Sequence, residues 1–224
     1  MTEPENGLEK IDCTLCGSRE SRTVWPSNLD GRDADPQLEE FDYTYASVSL
    51  GIQRHHRIVR CVRCGLVYVS PRPTPAGGEG IYRRLRDERY ASLREERVEH
   101  FEQDLVELEQ YSPPGPVLDV GCGSGYFLEA ARRRGWDPVR GVELNSWMVE
   151  LGQEAGLEIS GGPLRDQGFP DSFFQLVSFW DVIEHMNDPP AELAEAHRIM
   201  RPGGLLVLLV PDAESFWARL LGER

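Results

Sequence analysis

The spacing of apolar residues changes along this chain, and each change marks an element. A short apolar run, Val117-Leu118-Asp119-Val120, gives way to Gly121-Cys122-Gly123-Ser124-Gly125 and then to Tyr126, Phe127, Leu128, Ala130 and Ala131. An apolar run bounded by glycines predicts a buried strand, and the one-sided apolar spacing after it predicts a helix. The pattern repeats downstream, with strands expected at 117–120, 139–143, 157–160, 176–179 and 205–210 and helices near 125–134, 146–155, 190–200 and 213–221. Strands alternating with helices in this way form an α/β fold, a doubly wound parallel sheet covered on both faces.

Upstream the rhythm differs. Residues 82–111 are dense in Arg and Glu, free of Pro and Gly, and carry Leu93, Val98, Phe101, Leu105 and Leu108 at mostly helical spacings. This predicts a helix whose charged face is solvated. Before it, Ser70-Pro71-Arg72-Pro73-Thr74-Pro75-Ala76-Gly77-Gly78 forbids regular structure and marks a boundary. The expected organisation is a first module over 1–75, a linker and helical cap over 76–112, and the α/β domain over 113–224. In the first module, 58–60 and 66–69 have strand composition, 28–37 is an Asp-rich loop, and 43–52 suggests one or more further strands.

Cysteine use gives that module its chemistry. Four of the five cysteines form two pairs, Cys13-Thr14-Leu15-Cys16-Gly17 and Cys61-Val62-Arg63-Cys64-Gly65. Each pair aims two thiolates at one ion, and two pairs complete a tetrahedral site with no open position, so a structural Zn²⁺ on a small ribbon hairpin is expected. Two disulfides are the plainer alternative, disfavoured where thiols stay reduced. With four thiolates available, His55 and His56 are read as solvated rather than as ligands, and Cys122 as a small buried residue rather than a reactive one.

The glycine turn after 117–120 is the other chemical feature. A turn of this kind brings backbone close to a ligand, although a glycine run is often a tight turn and nothing more. Glu143 ends the second strand about 20 residues on, where a carboxylate can accept from two ribose hydroxyls; alone, a strand-end acid is commonly just solvated. A dinucleotide is disfavoured, because Tyr126 fills the place where close helix packing wants Gly or Ala, and Asp119 would repel a pyrophosphate. The ligand expected is a nucleoside that carries positive charge and no phosphate.

These residues resemble the class I S-adenosylmethionine-dependent methyltransferases. The matching pieces are VLDVGCGSG at 117–125, GVELN at 141–145, FQLVSFWDVIEHMNDP at 174–189, and RPGG at 201–204 leading into LLVLLVP at 205–211. The resemblance implies a Rossmann-like sheet and S-adenosylmethionine as cofactor. It sets Asp119 and the turn glycines Gly121, Gly123 and Gly125 against the methionyl part, Glu143 at the ribose, and residues near Leu164 and Trp180 beside the adenine or sulfonium, with Cys122, Leu144 and Asp181 also in the cofactor site. Helices ahead of the first strand often cover the cofactor in this family, which makes Tyr82 and Tyr90 candidate lid residues. Residues 58–82 resemble the ribbon that precedes the core in many bacterial members, sugar C-methyltransferases and natural-product enzymes among them, and imply a small-molecule acceptor; a quinone-like one is the further class that the segment after the fourth strand suggests.

Catalysis would fall to Glu184 and His185, just past the fourth strand, with His185 as general base and Glu184 orienting it. The same pair could instead cap a helix or shape the pocket. In a sharper version, Asp181, Glu184 and His185 resemble the divalent-metal site of ubiquinone-pathway O-methyltransferases and would hold Mg²⁺.

Composition narrows the remaining choices. The chain has 224 residues, 40% hydrophobic and 9% aromatic, enough for a sizeable core. A formal charge of −14 opposes partnership with nucleic acid or an anionic membrane surface. The polar N-terminus and the shortness of the apolar run at 205–210 predict a cytoplasmic protein without a membrane span. The resembling family usually has seven core strands; five are expected here and the last two are absent, leaving an apolar sheet edge that invites a homodimer. A non-catalytic cofactor-binding or scaffold protein, using the ribbon for protein contacts, is the alternative reading. It would bind the cofactor without turning it over.

Overall fold

The computed structural model describes residues 8–27, 55–74, 82, 83, 86 and 93–212. The stretches read as a loop at 28–37 and strands at 43–52, the helix at 213–221 and Tyr90 lie outside the described residues. The chain divides into two compact units, residues 1–85 and 86–224.

In the first unit, β2 (Ser21–Trp25), β3 (Ile58–Cys61) and β4 (Val67–Val69) form an antiparallel sheet in the order β2-β3-β4. The β3–β4 hairpin carries the second cysteine pair in its turn, as its strand composition predicts. A second ladder pairs β1 (Leu8–Glu9) with β5 (Arg72–Pro73), and Ser70 Oγ receives the Ile11 amide at 3.3 Å. Among its described residues this sheet buries few apolar side chains, Val59 at 3% exposure among them. A three-stranded sheet with so few buried apolar side chains gains from a metal that ties its turns together.

The second unit is built on α1 (Arg94–Leu108), then β6 (Val117–Val120), α2 (Tyr126–Arg133), β7 (Val139–Glu143), α3 (Ser146–Glu154), β8 (Glu158–Gly161), β9 (Phe174–Trp180), α4 (Pro189–Ile199) and β10 (Met200–Leu209). All five strands are parallel in the order β10-β9-β6-β7-β8. This is the Rossmann-like, doubly wound sheet, reversing direction at β6, where such sheets place their ligands. β6 is buried at every position and β9 at all but Trp180, which is why both are mainly apolar rather than alternating, with Asp119, Gln175 and Ser178 as the polar exceptions. Observed bounds move most in β10, which extends back to Met200 with a register irregularity between Met200 and Leu205.

Helix α1 departs from expectation in one respect: its charged side is not merely solvated. Arg133 pairs with Glu95 at 3.0 Å and Glu102 at 3.5 Å, Arg94 pairs with Glu129, and Arg134 with Glu109, all between α1 and α2 or the turns after them. Val98 and Leu105 are fully buried in the same contact. Partly exposed ion pairs are worth about 0–1 kcal/mol each, whereas burying an aliphatic side chain contributes about 1.5–3 kcal/mol. The apolar stripe therefore holds α1 on α2, and the ion pairs fix its rotation and slide. No helix of the described residues is long and apolar enough to cross a membrane.

Candidate functional site

The glycine turn joins β6 to α2 and sits at the reversal point of the sheet. The amides of Gly121 and Cys122 both donate to the Val142 carbonyl, at 2.8 and 3.1 Å, which ties the turn to the neighbouring strand. Gly121 and Gly125 have φ of 72° and 85°, and a Cβ at Gly121 would stand 2.6 Å from both methyl groups of Val182. Position and contact alike require glycine there. Tyr126 is buried at the first turn of α2, 3% exposed.

Asp119 lies opposite Ser178 in the β6–β9 register and accepts a hydrogen bond from Ser178 Oγ at 2.8 Å. Burial pushes its carboxyl up to about 8; the serine hydroxyl opposes that shift and the nearby charge of Glu143 adds to it. Glu143 is 1% exposed, with Oε2 accepting from the Gly123 amide at 2.9 Å and Oε1 from the Asn145 amide at 2.8 Å. It thus locks the glycine turn to the start of α3, a structural job that a strand-end position does not announce. Each carboxylate oxygen keeps a second acceptor site. Asn145 caps α3 by accepting from the Met148 amide at 3.1 Å.

Cys122 is buried against Gly141, where a Cβ would meet its sulfur at 2.5 Å, and burial holds its thiol well above the usual range. That matches an inert packing residue. Leu144 is half-buried, and Leu164 is 1% exposed in a cluster with Leu118, Val120, Val142 and Phe179. Trp180 ends β9 with its ring centroid 5.2 Å from Phe101 of α1 and 5.3 Å from Phe127 of α2. Its Nε1 and the Ser124 hydroxyl are buried without a hydrogen-bond partner among the described residues. Sequence reading missed Ser178, Asn145, Phe101 and Ser124. Ser178 had a signal, as the one polar residue within Leu176–Trp180 of β9; Phe101 showed only as part of the apolar stripe of its helix, because its partners lie far away in the chain.

After β9 the chain bends at Asp181, which has a left-handed φ of 52°, and makes a single 3₁₀ turn over Ile183–His185 before Met186 returns to extended backbone. Asp181, Glu184 and His185 are exposed. Their spacing would align three ligands on an α-helix, but on this bend and short turn their ligating atoms do not converge. The Mg²⁺ expectation gains no support among the described residues.

In the first unit the two cysteine pairs do converge. Cys13 Sγ lies 3.5 Å from Cys64 Sγ and Cys16 Sγ lies 3.6 Å from Cys61 Sγ, with all four ligand atoms within 4.8 Å of one another. A tetrahedron of Zn–S bonds near 2.3 Å needs sulfurs about 3.8 Å apart, so the cluster fits that ion. None of the five cysteines is in a disulfide. The two knuckles share one geometry: the Gly17 amide donates to the Cys13 carbonyl at 2.8 Å and the Gly65 amide to the Cys61 carbonyl at 3.1 Å. Backbone amides of Cys64 and Arg63 draw the Cys61 thiol down to about 6. His55 and His56 stand outside the cluster and are half-buried rather than solvated, the His55 ring bonding the His56 carbonyl at 2.7 Å.

A methyltransferase-domain family model matches residues 82–223. The chain belongs to this family, the class I S-adenosylmethionine-dependent methyltransferases. It is 32% identical over 122 residues to a malonyl-[acyl-carrier protein] O-methyltransferase of Serratia marcescens, an alignment covering 50% of this chain and 48% of that protein. It is 33% identical over 110 residues to a ubiquinone/menaquinone biosynthesis C-methyltransferase of Geotalea daltonii, covering 45% and 47%. The chain thus spans about half the length of these curated relatives. Among solved structures it is similar to an S-adenosylmethionine-dependent methyltransferase of Thermotoga maritima, with 25% identity, a TM-score of 0.48, and coverage of 61% of this chain and 62% of that one. At that score the likeness adds nothing to the fold described above.

Proposed function

We propose that this protein transfers a methyl group from S-adenosylmethionine to a small-molecule acceptor, of the sugar, natural-product or quinone-like class. The observation that carries the cofactor assignment is the pair of buried carboxylates, Asp119 and Glu143, on either side of a glycine turn with no room for side chains. Two buried acids in one electrostatic neighbourhood fit a ligand bearing positive charge and hydroxyl donors, and repel a phosphate-rich one. Asp119 and the turn glycines would face the methionyl end, Glu143 and Leu144 the ribose, and Leu164, Trp180 and Asp181 the adenine and sulfonium. The orphaned Ser124 hydroxyl and Trp180 indole are further donors at the same turn and strand end.

When bound, the cofactor supplies an electrophilic methyl group on sulfur. The chain's own task is to exclude water, align the acceptor, and remove its proton where the nucleophile needs charge. His185 is the proposed base, taking the acceptor's proton on an imidazole nitrogen, with Glu184 orienting the ring. The relatives' printed names span carbon and oxygen methylation, so acceptor class and methylated atom are set by experiment. The ribbon cysteines would hold a structural zinc, and copies could pair along β10, where Leu208 and Leu209 are 45% and 47% exposed.

The test is methyl transfer from radiolabelled S-adenosylmethionine across acceptor panels, alongside calorimetric cofactor binding. Turnover with one panel, lowered by a factor of 10² or more in His185→Ala with cofactor affinity kept, is the expected outcome. Cofactor binding without turnover on any panel would select the scaffold reading, and NADH binding in its place would end the assignment.

A further inference from the structure

The ribbon unit departs in charge from the rest of the chain. Residues 1–85 are near balance, with 11 Lys and Arg against 12 Asp and Glu in a protein whose formal charge is −14, and the stretches 8–27 and 55–74 carry seven Lys and Arg against three Asp and Glu. Most of this positive charge is accounted for locally. Arg72 pairs with Glu9 at 2.9 Å and Arg19 with Asp12 at 3.4 Å. Arg57 Nε donates to the Ser70 carbonyl at 2.9 Å, and Arg63 reaches the Cys16 carbonyl at 3.5 Å.

Arg22 and Arg60 are different. They are register partners on β2 and β3, so their side chains leave the same face of the sheet directly opposite each other. Neither makes an ion pair or a side-chain hydrogen bond among the described residues. Like charges directly opposite on an antiparallel pair oppose folding, and Arg60 is half-buried, which deepens that cost. Both line a surface hollow of about 310 Å³ with Cys61, Val62 and Gly65 of the second knuckle.

We propose that Arg22 and Arg60 form an oxyanion site for the phosphate group of a small phosphorylated molecule. Two guanidinium forks side by side can each offer paired N–H donors to one phosphate, and an anion between them turns their repulsion into attraction. The hollow is of the size of a small ligand, and the −14 charge of the chain weighs against a polyanion such as nucleic acid. Phosphate can arrive as the free ion or as an ester or diphosphate, and the two are separable. The site belongs to the ribbon and does not depend on methyl transfer.

The experiment is calorimetric titration of the 224-residue, zinc-loaded chain at low ionic strength with inorganic phosphate, uridine diphosphate and a single-stranded oligonucleotide. One-site binding is expected. Uridine diphosphate much tighter than phosphate assigns the ester form, and equal affinities assign the free ion; either supports the site. Arg22→Gln and Arg60→Gln should each weaken binding about tenfold or more, while Arg19→Gln leaves it unchanged, with zinc content and far-ultraviolet circular dichroism confirming that each variant is folded. Absence of binding, binding indifferent to both variants, or tighter and steeply salt-dependent binding of the oligonucleotide overturns the proposal. Zinc loss from the two variants without any anion binding also overturns it, and would make the arginines counter-charges of the thiolate cluster.

Discussion

At the scale of single residues, the two buried acids carry the most testable chemistry. Asp119 is pushed up to about 8 by burial, against about 3.9 for a free carboxyl. The folded chain then keeps a proton that the unfolded chain gives up. This contribution to stability is fully present below about pH 4 and is lost as pH rises towards 8. A cationic ligand beside Asp119 favours the carboxylate, so cofactor binding should release a proton. We expect affinity for S-adenosylmethionine to rise with pH up to about 8, by at most about tenfold per unit, and to lose that dependence in Asp119→Asn. Calorimetry in two buffers of different ionisation heat reads the proton directly, and a flat profile in the parent protein would contradict the assignment. Glu143→Gln leaves the shape but places an amide NH₂ against one of the backbone amides that Oε1 and Oε2 now accept. Cofactor affinity should fall by about 10- to 100-fold, the worth of a charged hydrogen bond.

At the scale of elements, the glycine turn and the segment after β9 depend on each other. Adding a methyl group in Gly121→Ala strains a φ of 72° and drives a Cβ against Val182. A loss of about 1–3 kcal/mol is expected, seen as a Tm lower by several degrees, with cofactor binding impaired. Removing the obstacle in Gly121→Ala/Val182→Ala should recover part of the loss, whereas a purely conformational penalty would recover none. Helix α1 is the second such element. Phe101 closes an aromatic cluster with Phe127 and Trp180, so Phe101→Ala should cost about 3 kcal/mol and expose Trp180 to fluorescence quenchers. Both couplings join residues far apart in sequence, which explains why periodicity located the elements and not their contacts.

At the scale of the whole molecule, the two units should respond separately to a chelator. Among the described residues of the ribbon the buried apolar side chains are Cys13, Val59 and Cys61, and its sulfurs converge on one point, so zinc removal should melt its sheet, read by hydrogen exchange over 55–74, while exchange over β6, β7 and β9 stays protected. Unchanged protection in both units after complete zinc removal would count against a structural ion. The sequence by itself determined the five parallel strands, the glycine turn after Val120 and the two Cys-x-x-Cys knuckles, because each rests on local physics: apolar runs, backbone freedom, and ligands three residues apart. Only the tertiary structure decided that Glu143 clamps the turn through two amides, that Ser178 holds Asp119, and that Asp181, Glu184 and His185 follow β9 on a bend and a 3₁₀ turn rather than on an α-helix. Those outcomes depend on strand register and on a bend replacing a helix, and register and bends are fixed by how distant segments pack rather than by the residues that lie next to one another.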